Sequence, residues 1–301
     1  MKADLLDVTL RDGLQDEPVV VPAEEKLDIA RGLLGSGLAG IEATSFVSPA
    51  WVPQLADAEV VMAGLGRLAE PHPGVFVTAL VPNRRGYERA KASGCRVITV
   101  VMSATEAHNR SNLNRSRQES LQDVCEIVGD AHRSGIRVRG SLSTAFGCPF
   151  EGPADISAVV QAAGEYVATG IDELSLADTV GLGTPDVVRA IVGEIVPLEI
   201  PVWLHFHDRF HQALDNVRVG LELGVTRFEA ALAGLGGCPF APEAPGNVRA
   251  VALAKFLRHE GVDCAVDVEA LVNLEDEITQ VLAHAPSAPD RGRHQPRDDR
   301  A

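Results

Sequence analysis

The feature that most narrows the fold is an alternation repeated along almost the whole chain. Short apolar or β-branched runs fall at 5–9, 40–43, 75–81, 96–102, 137–143, 173–177, 201–205 and 227–230. Segments with helical periodicity separate them, including 23–34, 84–92, 120–134, 154–169, 185–195 and 212–223. Several close on a glycine just before the next run, at Gly37, Gly94, Gly135, Gly170 and Gly224. Glycine takes the left-handed conformation that ends a helix, so the pattern reads strand, helix, stop, strand. Strands alternating with helices form a parallel sheet, and eight is the number that closes into a barrel. The sequence therefore predicts an α/β fold, a (β/α)8 TIM barrel, with residues 1–285 as a single domain. A doubly wound open sheet competes, but no G-x-G-x-x-G follows the first run.

The chain of 301 residues exceeds the about 250 that such a barrel needs, and its apolar share of 46% supports a large core. Residues 286–301 are rich in Pro, Arg and Asp without apolar periodicity, which reads as a disordered polar tail. A net charge of -15 argues against nucleic acid as a partner. No apolar run approaches the roughly 18 residues that span a bilayer, so no membrane is expected. No signal or transit segment is legible after Met1. Cys95, Cys125, Cys148, Cys238 and Cys264 have no paired spacing, and reduced thiols in a cytoplasm are expected.

In a barrel, functional groups belong at the C-terminal ends of the strands. Polar residues collect there in this sequence: Arg11, Asp12 and Gln15 after the first run, then Glu42 and Ser45 at the second. Asp178 and Thr179 follow the sixth, and His205 and His207 close the seventh. A glycine-rich stretch, Gly234 to Gly237 with Cys238, follows the eighth, and Asn247 comes after it. Side chains two apart on a strand share a face, and two imidazoles so placed suit a divalent metal. Taken alone, H-x-H is equally two histidines in a polar loop. Arg11 and Asp12 are either a structural ion pair or a carboxylate ligand beside a cation.

Six runs, taken together, resemble the 3-hydroxy-3-methylglutaryl-CoA lyase family. They are R-D-G-L-Q-D-E (11–17), T-S-F-V-S-P-A-W-V-P-Q (44–54), F-G-C-P-F-E-G (146–152), S-L-A-D-T-V-G-L-G-T-P (175–185), H-F-H-D (205–208) and G-G-C-P-F-A (236–241). The likeness implies a metal-dependent carbon–carbon lyase that splits a 3-hydroxyacyl-CoA into acetyl-CoA and a keto acid. It implies Mg²⁺ or Mn²⁺ held by Asp12, His205, His207 and Asn247. A ligand set of oxygen and imidazole without thiolate agrees with that choice, and tetrahedral zinc is the minority reading. Arg11 is implied to face the thioester oxygen, Cys238 to protonate the enolate carbon, and His205 to assist proton movement. Gln15, Glu42, Ser45, Asn112, Ser141, Asp178 and Thr179 are the candidate substrate contacts. Arg110, Arg115 and Arg117 either meet CoA phosphates or belong to a solvated loop. A homodimer is expected by likeness alone.

The chain also departs from that family. Ser141 stands where a tyrosine is common, Arg209-Phe210-His211 follows H-F-H-D, and Val248 to Ala252 replaces an acidic pair. The machinery is kept while the periphery changes, so the reaction class is better specified than the acyl group. Two other readings are a Claisen-type condensing synthase and a barrel kept only for binding. The first lacks the G-G-C-P loop, and the second predicts a damaged ligand set, which the sequence does not contain.

Overall fold

The computed structural model describes residues 1–237 and 246–289. Eight strands form the barrel: β1 (Lys2–Asp7), β2 (Gly40–Ser45), β3 (Phe76–Val81), β4 (Val97–Ser103), β5 (Arg137–Ser143), β6 (Glu173–Asp178), β7 (Val202–Phe206) and β8 (Arg227–Ala230). All neighbours pair in parallel, and β8 returns to β1 with Asp4 opposite Arg227 and Asp7 opposite Ala230. That closure rules out the open sheet. Helices α1 (Ala23–Gly35), α2 (Ala58–Leu68), α3 (Arg84–Ala92), α4 (Glu106–Leu113), α5 (Arg117–Arg133), α6 (Ile156–Val167), α7 (Pro185–Ile195), α8 (Ala213–Glu222), α9 (Ala250–His259) and α10 (Val268–His284) surround it. Among the described residues no helix is long and apolar enough to cross a membrane.

Local chemistry sets the helix starts. Ser116 and Glu119 form a reciprocal capping box at α5, while Asn83, Asp155, Thr184 and Asp267 cap α3, α6, α7 and α10. The outward faces of the strands make the main core with the helices: Ile98, Val138, Leu174, Leu204 and Phe228 are all fully buried there.

The inward faces are different. A small apolar plug of Leu6, Val8, Trp203 and Ala231 packs with Phe76. The same interior buries Glu42, Thr78, Thr99, Arg139, Glu173 and Glu229. Arg139 on β5 reaches Glu229 on β8 at 2.7 Å, and those strands are not neighbours, so the contact crosses the barrel interior. Barrel interiors are dominated by branched apolar layers; here charged side chains share the interior with a small apolar cluster.

The first residues after 285 pair with the segment before α1. Val20 donates to the Pro286 carbonyl and Ala288 donates to that of Pro18, each at 2.8 Å. Composition does not reveal that these backbone groups have partners on the segment before α1. Residues 290–301 lie outside the described part.

Candidate metal centre

The chain leaves β1 through a tight π-helical turn, Thr9–Gly13, in which the amides of Arg11, Asp12 and Gly13 converge on the Val8 carbonyl at 3.2, 2.8 and 3.1 Å. Such single-turn distortions often mark functional sites. This one carries Arg11 and Asp12 into the barrel mouth. The register of β2 against β3 shifts between Glu42 and Thr44, a bulge of the kind that redirects a side chain. Glu42 accepts a hydrogen bond from Arg11 Nε, and Asp12 accepts one from Arg11 Nη1. The guanidinium is thus clamped between two carboxylates.

On β7 the period-two expectation holds. Trp203, His205 and His207 face inward, and Leu204 packs outward against Gly220 on α8. Asp12 Oδ2 lies 3.4 Å from His207 Nε2 and 3.9 Å from His205 Nε2. Asn247 bridges to His207 as an isolated β pair and donates from Nδ2 to Asp12 Oδ2 at 2.8 Å. Ligand atoms of Asp12, His205 and His207 all fall within 4.8 Å of one another, and all three residues are buried.

Two glycines make this approach possible. A Cβ on Gly236, whose φ is +114°, would sit 2.4 Å from Asn247 Nδ2 and 3.1 Å from Asp12 Oδ2. A Cβ on Gly246 would sit 2.0 Å from the Gly234 carbonyl oxygen. Any side chain at either position would drive the backbone out of the site.

The donor set passes a direct test for a divalent cation. Both ring nitrogens of His207 and Oδ1 of Asn247 are buried without a hydrogen-bond partner. Orphaned buried polar atoms are costly and call for an explanation. With Asp12 and His205 they make a mixed oxygen and imidazole set that suits a hard or borderline cation.

Electrostatics favour the same state at Asp12 and His207, and oppose it at His205. Burial alone would raise the Asp12 carboxyl, but Arg11 and the imidazoles outweigh it and hold it well below the usual carboxylate range. Burial lowers His207 despite Asp12, which favours the neutral ring that a ligand needs. For His205, the hydrogen bond to Glu229 and the charges of Asp12 and Glu229 outweigh burial and raise it. Glu229, which burial would raise, is pulled far down by Arg139 and His205.

The other expected residues divide. Glu42 and Ser45 are buried at the end of β2, with Ser45 Oγ accepting from the Val47 amide at 3.2 Å. Gln15 is half-buried just beyond the π turn. Ser141 is half-buried on the inward face of β5, two residues above Arg139. Asp178 takes the amides of Leu182 and Gly183, each at 2.9 Å, so its carboxylate shapes the loop after β6. Burial still pushes it up to about 6. Thr179 Oγ1 accepts from the Thr144 amide at 2.8 Å and pins the end of β5.

Asn112 is exposed on α4, whereas Asn109 on the same helix is buried and bonds the Ser103 amide at 3.0 Å. Arg110, Arg115 and Arg117 pair with Glu106, Asp123 and Glu165. Cys238 lies outside the described residues. Sequence reasoning overlooked Arg139, Glu173 and Glu229. Their signal was present: each is a charge inside an otherwise strand-like run, where a solvated role is unavailable.

Comparisons with known proteins identify the chain's family. A family profile described as HMGL-like matches residues 2–278. The hydroxymethylglutaryl-CoA lyase of Pseudomonas mevalonii is 39% identical over 284 residues, covering 93% of each chain. The mitochondrial enzyme of that name from Gallus gallus is 38% identical, covering 93% of this chain and 94% of its own. The structure of an HMG-CoA lyase from Brucella melitensis superposes with a TM-score of 0.89 at 39% identity, covering 94% of this chain and 99% of that one. Another, from Acinetobacter baumannii in complex with coenzyme A and 3-methylmalate, gives 0.88 at 35% identity, covering 99% and 96%.

Proposed function

Because the chain belongs to the HMGL-like family, we propose that it is a divalent-metal-dependent carbon–carbon lyase. It cleaves a 3-hydroxyacyl-CoA, 3-hydroxy-3-methylglutaryl-CoA or a related thioester, to acetyl-CoA and a keto acid. The observation that carries this reading is the gathering of Asp12, His205, His207 and Asn247 beside the clamped Arg11 at the barrel mouth. These four residues would hold the cation, which we take to be Mg²⁺ or Mn²⁺. When bound, it supplies Lewis acidity that favours loss of the substrate's hydroxyl proton.

The chain's own groups do the rest. Glu42 and Asp12 fix the guanidinium plane of Arg11, so that its remaining N–H groups meet the thioester oxygen on which enolate charge develops. His205, whose Nε2 lies in the ligand group, is assigned a part in movement of the hydroxyl proton, which it can take up only while Nε2 is off the cation. Cys238, in the G-G-C-P run after β8, is assigned protonation of the enolate carbon, on the motif alone. Asp178 and Thr179 hold the loop after β6 and the end of β5, which frame the acyl pocket around Ser141. The complex of the Acinetobacter baumannii relative with coenzyme A supports an acyl-CoA substrate. A homodimer in a cytoplasm completes the proposal.

The test is to strip the purified protein with chelator, reload it with Mg²⁺ or Mn²⁺, and screen 3-hydroxyacyl-CoA thioesters for acetyl-CoA release. Cation-dependent release is expected, with the fold unchanged by chelator. Faster condensation in the reverse assay would favour the synthase, and no turnover of any thioester would end the lyase reading.

A further inference from the structure

The two histidines at the mouth are not equivalent. His205 Nδ1 lies 3.0 Å from Glu229 Oε2, and both residues are 5% exposed. Neither ring nitrogen of His207 has a hydrogen-bond partner. Behind Glu229 runs a continuous chain down the barrel interior. Its Oε1 accepts from Arg139 Nη2 at 2.7 Å. Arg139 Nε donates to Glu173 Oε2 at 3.2 Å, and the same oxygen accepts from Trp203 Nε1 at 2.7 Å. The Arg139 guanidinium also sits 5.0 Å over the Trp203 ring, which fixes its plane.

Every link in that chain has one possible direction. Indole and guanidinium groups only donate, and an ionised carboxylate only accepts. Glu229 therefore leaves His205 Nδ1 no role but donor. A neutral imidazole that carries its proton on Nδ1 presents a lone pair at Nε2, and Nε2 is the atom turned toward Asp12. The rotamer and the tautomer are set by one contact.

We propose that Glu229, itself oriented by Arg139, is the positioning residue that fixes His205 with Nε2 as a preset electron-pair donor to the divalent cation. The proposal rests on the metal reading above. It concerns neither substrate nor reacting atoms. The two imidazole ligands then differ in kind, since His205 is held from below by Glu229, whereas His207 has only the Asp12 carboxylate, 3.4 Å from its Nε2, beside it. Outer partners of this kind typically change metal affinity by 10–100-fold when removed.

The test measures Mn²⁺ binding by the fraction of free ion in electron paramagnetic resonance, with the full chain. Glu229→Ala should weaken Mn²⁺ at least about tenfold, with near-ultraviolet circular dichroism unchanged. Glu229→Gln keeps an acceptor for Nδ1 and should recover part of that loss. A folded Glu229→Ala protein that binds Mn²⁺ within about twofold of the parent overturns the role of Glu229.

Should the variants fail to fold, the parent decides. Long-range ¹H–¹⁵N spectra of histidine-labelled, metal-free protein at alkaline pH should give His205 a protonated Nδ1 and a bare Nε2, identified by difference against His205→Gln. The opposite tautomer overturns the proposal. Absence of Mn²⁺ binding by the parent would sink the metal reading itself, a result distinct from equal binding by parent and variant.

Discussion

Replacing Arg139 with methionine isolates the ion-pair network inside the barrel. Arg139 is 1% exposed and faces Glu229 at 2.7 Å and Glu173 at 3.2 Å. Methionine fills similar volume against Trp203 and Phe76, so the change removes charge more than packing. The two carboxylates are not left equally exposed to the loss. Glu173 keeps the Trp203 indole at 2.7 Å and has Arg137 at 3.6 Å. Among the described residues, Glu229 keeps only the His205 imidazole as a hydrogen-bond partner. At an effective dielectric near 20, a pair at about 4 Å between charge centres is worth about 4 kcal/mol. Breaking a buried pair by removing one partner costs about 3–5 kcal/mol, which agrees.

We expect Arg139→Met to lower unfolding free energy by about that amount, read from urea midpoints. The double variant Arg139→Met with Glu229→Gln should be more stable than Arg139→Met alone by about 1–3 kcal/mol, because the stranded charge is gone. Fluorescence reports this well, since Trp203 is buried under Arg139 while Trp51 is 53% exposed. Circular dichroism must give the same midpoint for the free energies to hold. A single variant within about 1 kcal/mol of the parent, or a double variant no better than the single, would refute the reasoning.

Three further outcomes are expected. Gly236→Ala places a Cβ 2.4 Å from Asn247 Nδ2 at a φ of +114°, so Mn²⁺ affinity should fall at least about tenfold, while strain costs only about 1–3 kcal/mol of stability; unchanged Mn²⁺ titrations would show that the loop yields without disturbing the ligands. Burial pushes the Asp7 carboxyl up to about 7 despite its bonds from Thr9. The folded state thus holds that proton more tightly than the unfolded chain, near 3.9, and this contribution is full below about 4 and lost as pH rises through about 7. Asp7→Asn should flatten the resulting decline, on the order of 4 kcal/mol, in urea midpoints between about pH 4 and 8; an identical slope would exclude Asp7 as its source. Ser141→Tyr should shift kcat/KM by about 10–200-fold toward 3-hydroxy-3-methylglutaryl-CoA over a bulkier thioester, and an unmoved ratio would mean that Ser141 does not line the acyl pocket.

The barrel was legible because its signals are local. Each strand–helix unit carries its own apolar run, and glycines such as Gly135 and Gly224, at φ of +69° and +85°, stop the helices. His205 and His207 were legible for the same reason, since two positions on one strand share a face whatever surrounds them. Asp12 needed more: a π turn after β1 redirects it, and no period encodes such a turn. Asn112 against Asn109 shows the limit from the other side. Both lie on α4, and only the packing of that helix on Ser103 and Ser120 decides which asparagine is buried. The three charges inside β5, β6 and β8 stand out in their runs, but their pairing was not legible because the partners are non-local. Arg139 and Glu229 are 90 positions apart in sequence and meet only when the barrel closes.

That closure links the ion-pair network to the mouth. Asp12, Glu42, Glu173 and Glu229 are buried carboxylates, and Arg11 and Arg139 are the buried guanidiniums among them. Four negative groups against two positive ones, with the imidazoles neutral, leave an excess of two negative charges among these groups, and Asp178 at the mouth adds to it once the pH passes about 6. Uncompensated buried charge costs several kcal/mol per group, so the interior favours whatever restores balance. Half-exposed Arg137 offsets a little of it, at 3.6 Å from Glu173. The rest lies at the upper end, where Asn247 Oδ1 and both His207 nitrogens have no partner. A divalent cation there would supply the missing charge, and a partner for Asn247 Oδ1 and for one of the two His207 nitrogens. Protonation of the imidazoles would supply only the charge, and would occupy the lone pairs that the ligand set requires. The buried ion-pair network thus adjoins the candidate metal centre from below, and Glu229 is the residue that touches both, bonded to Arg139 and to His205.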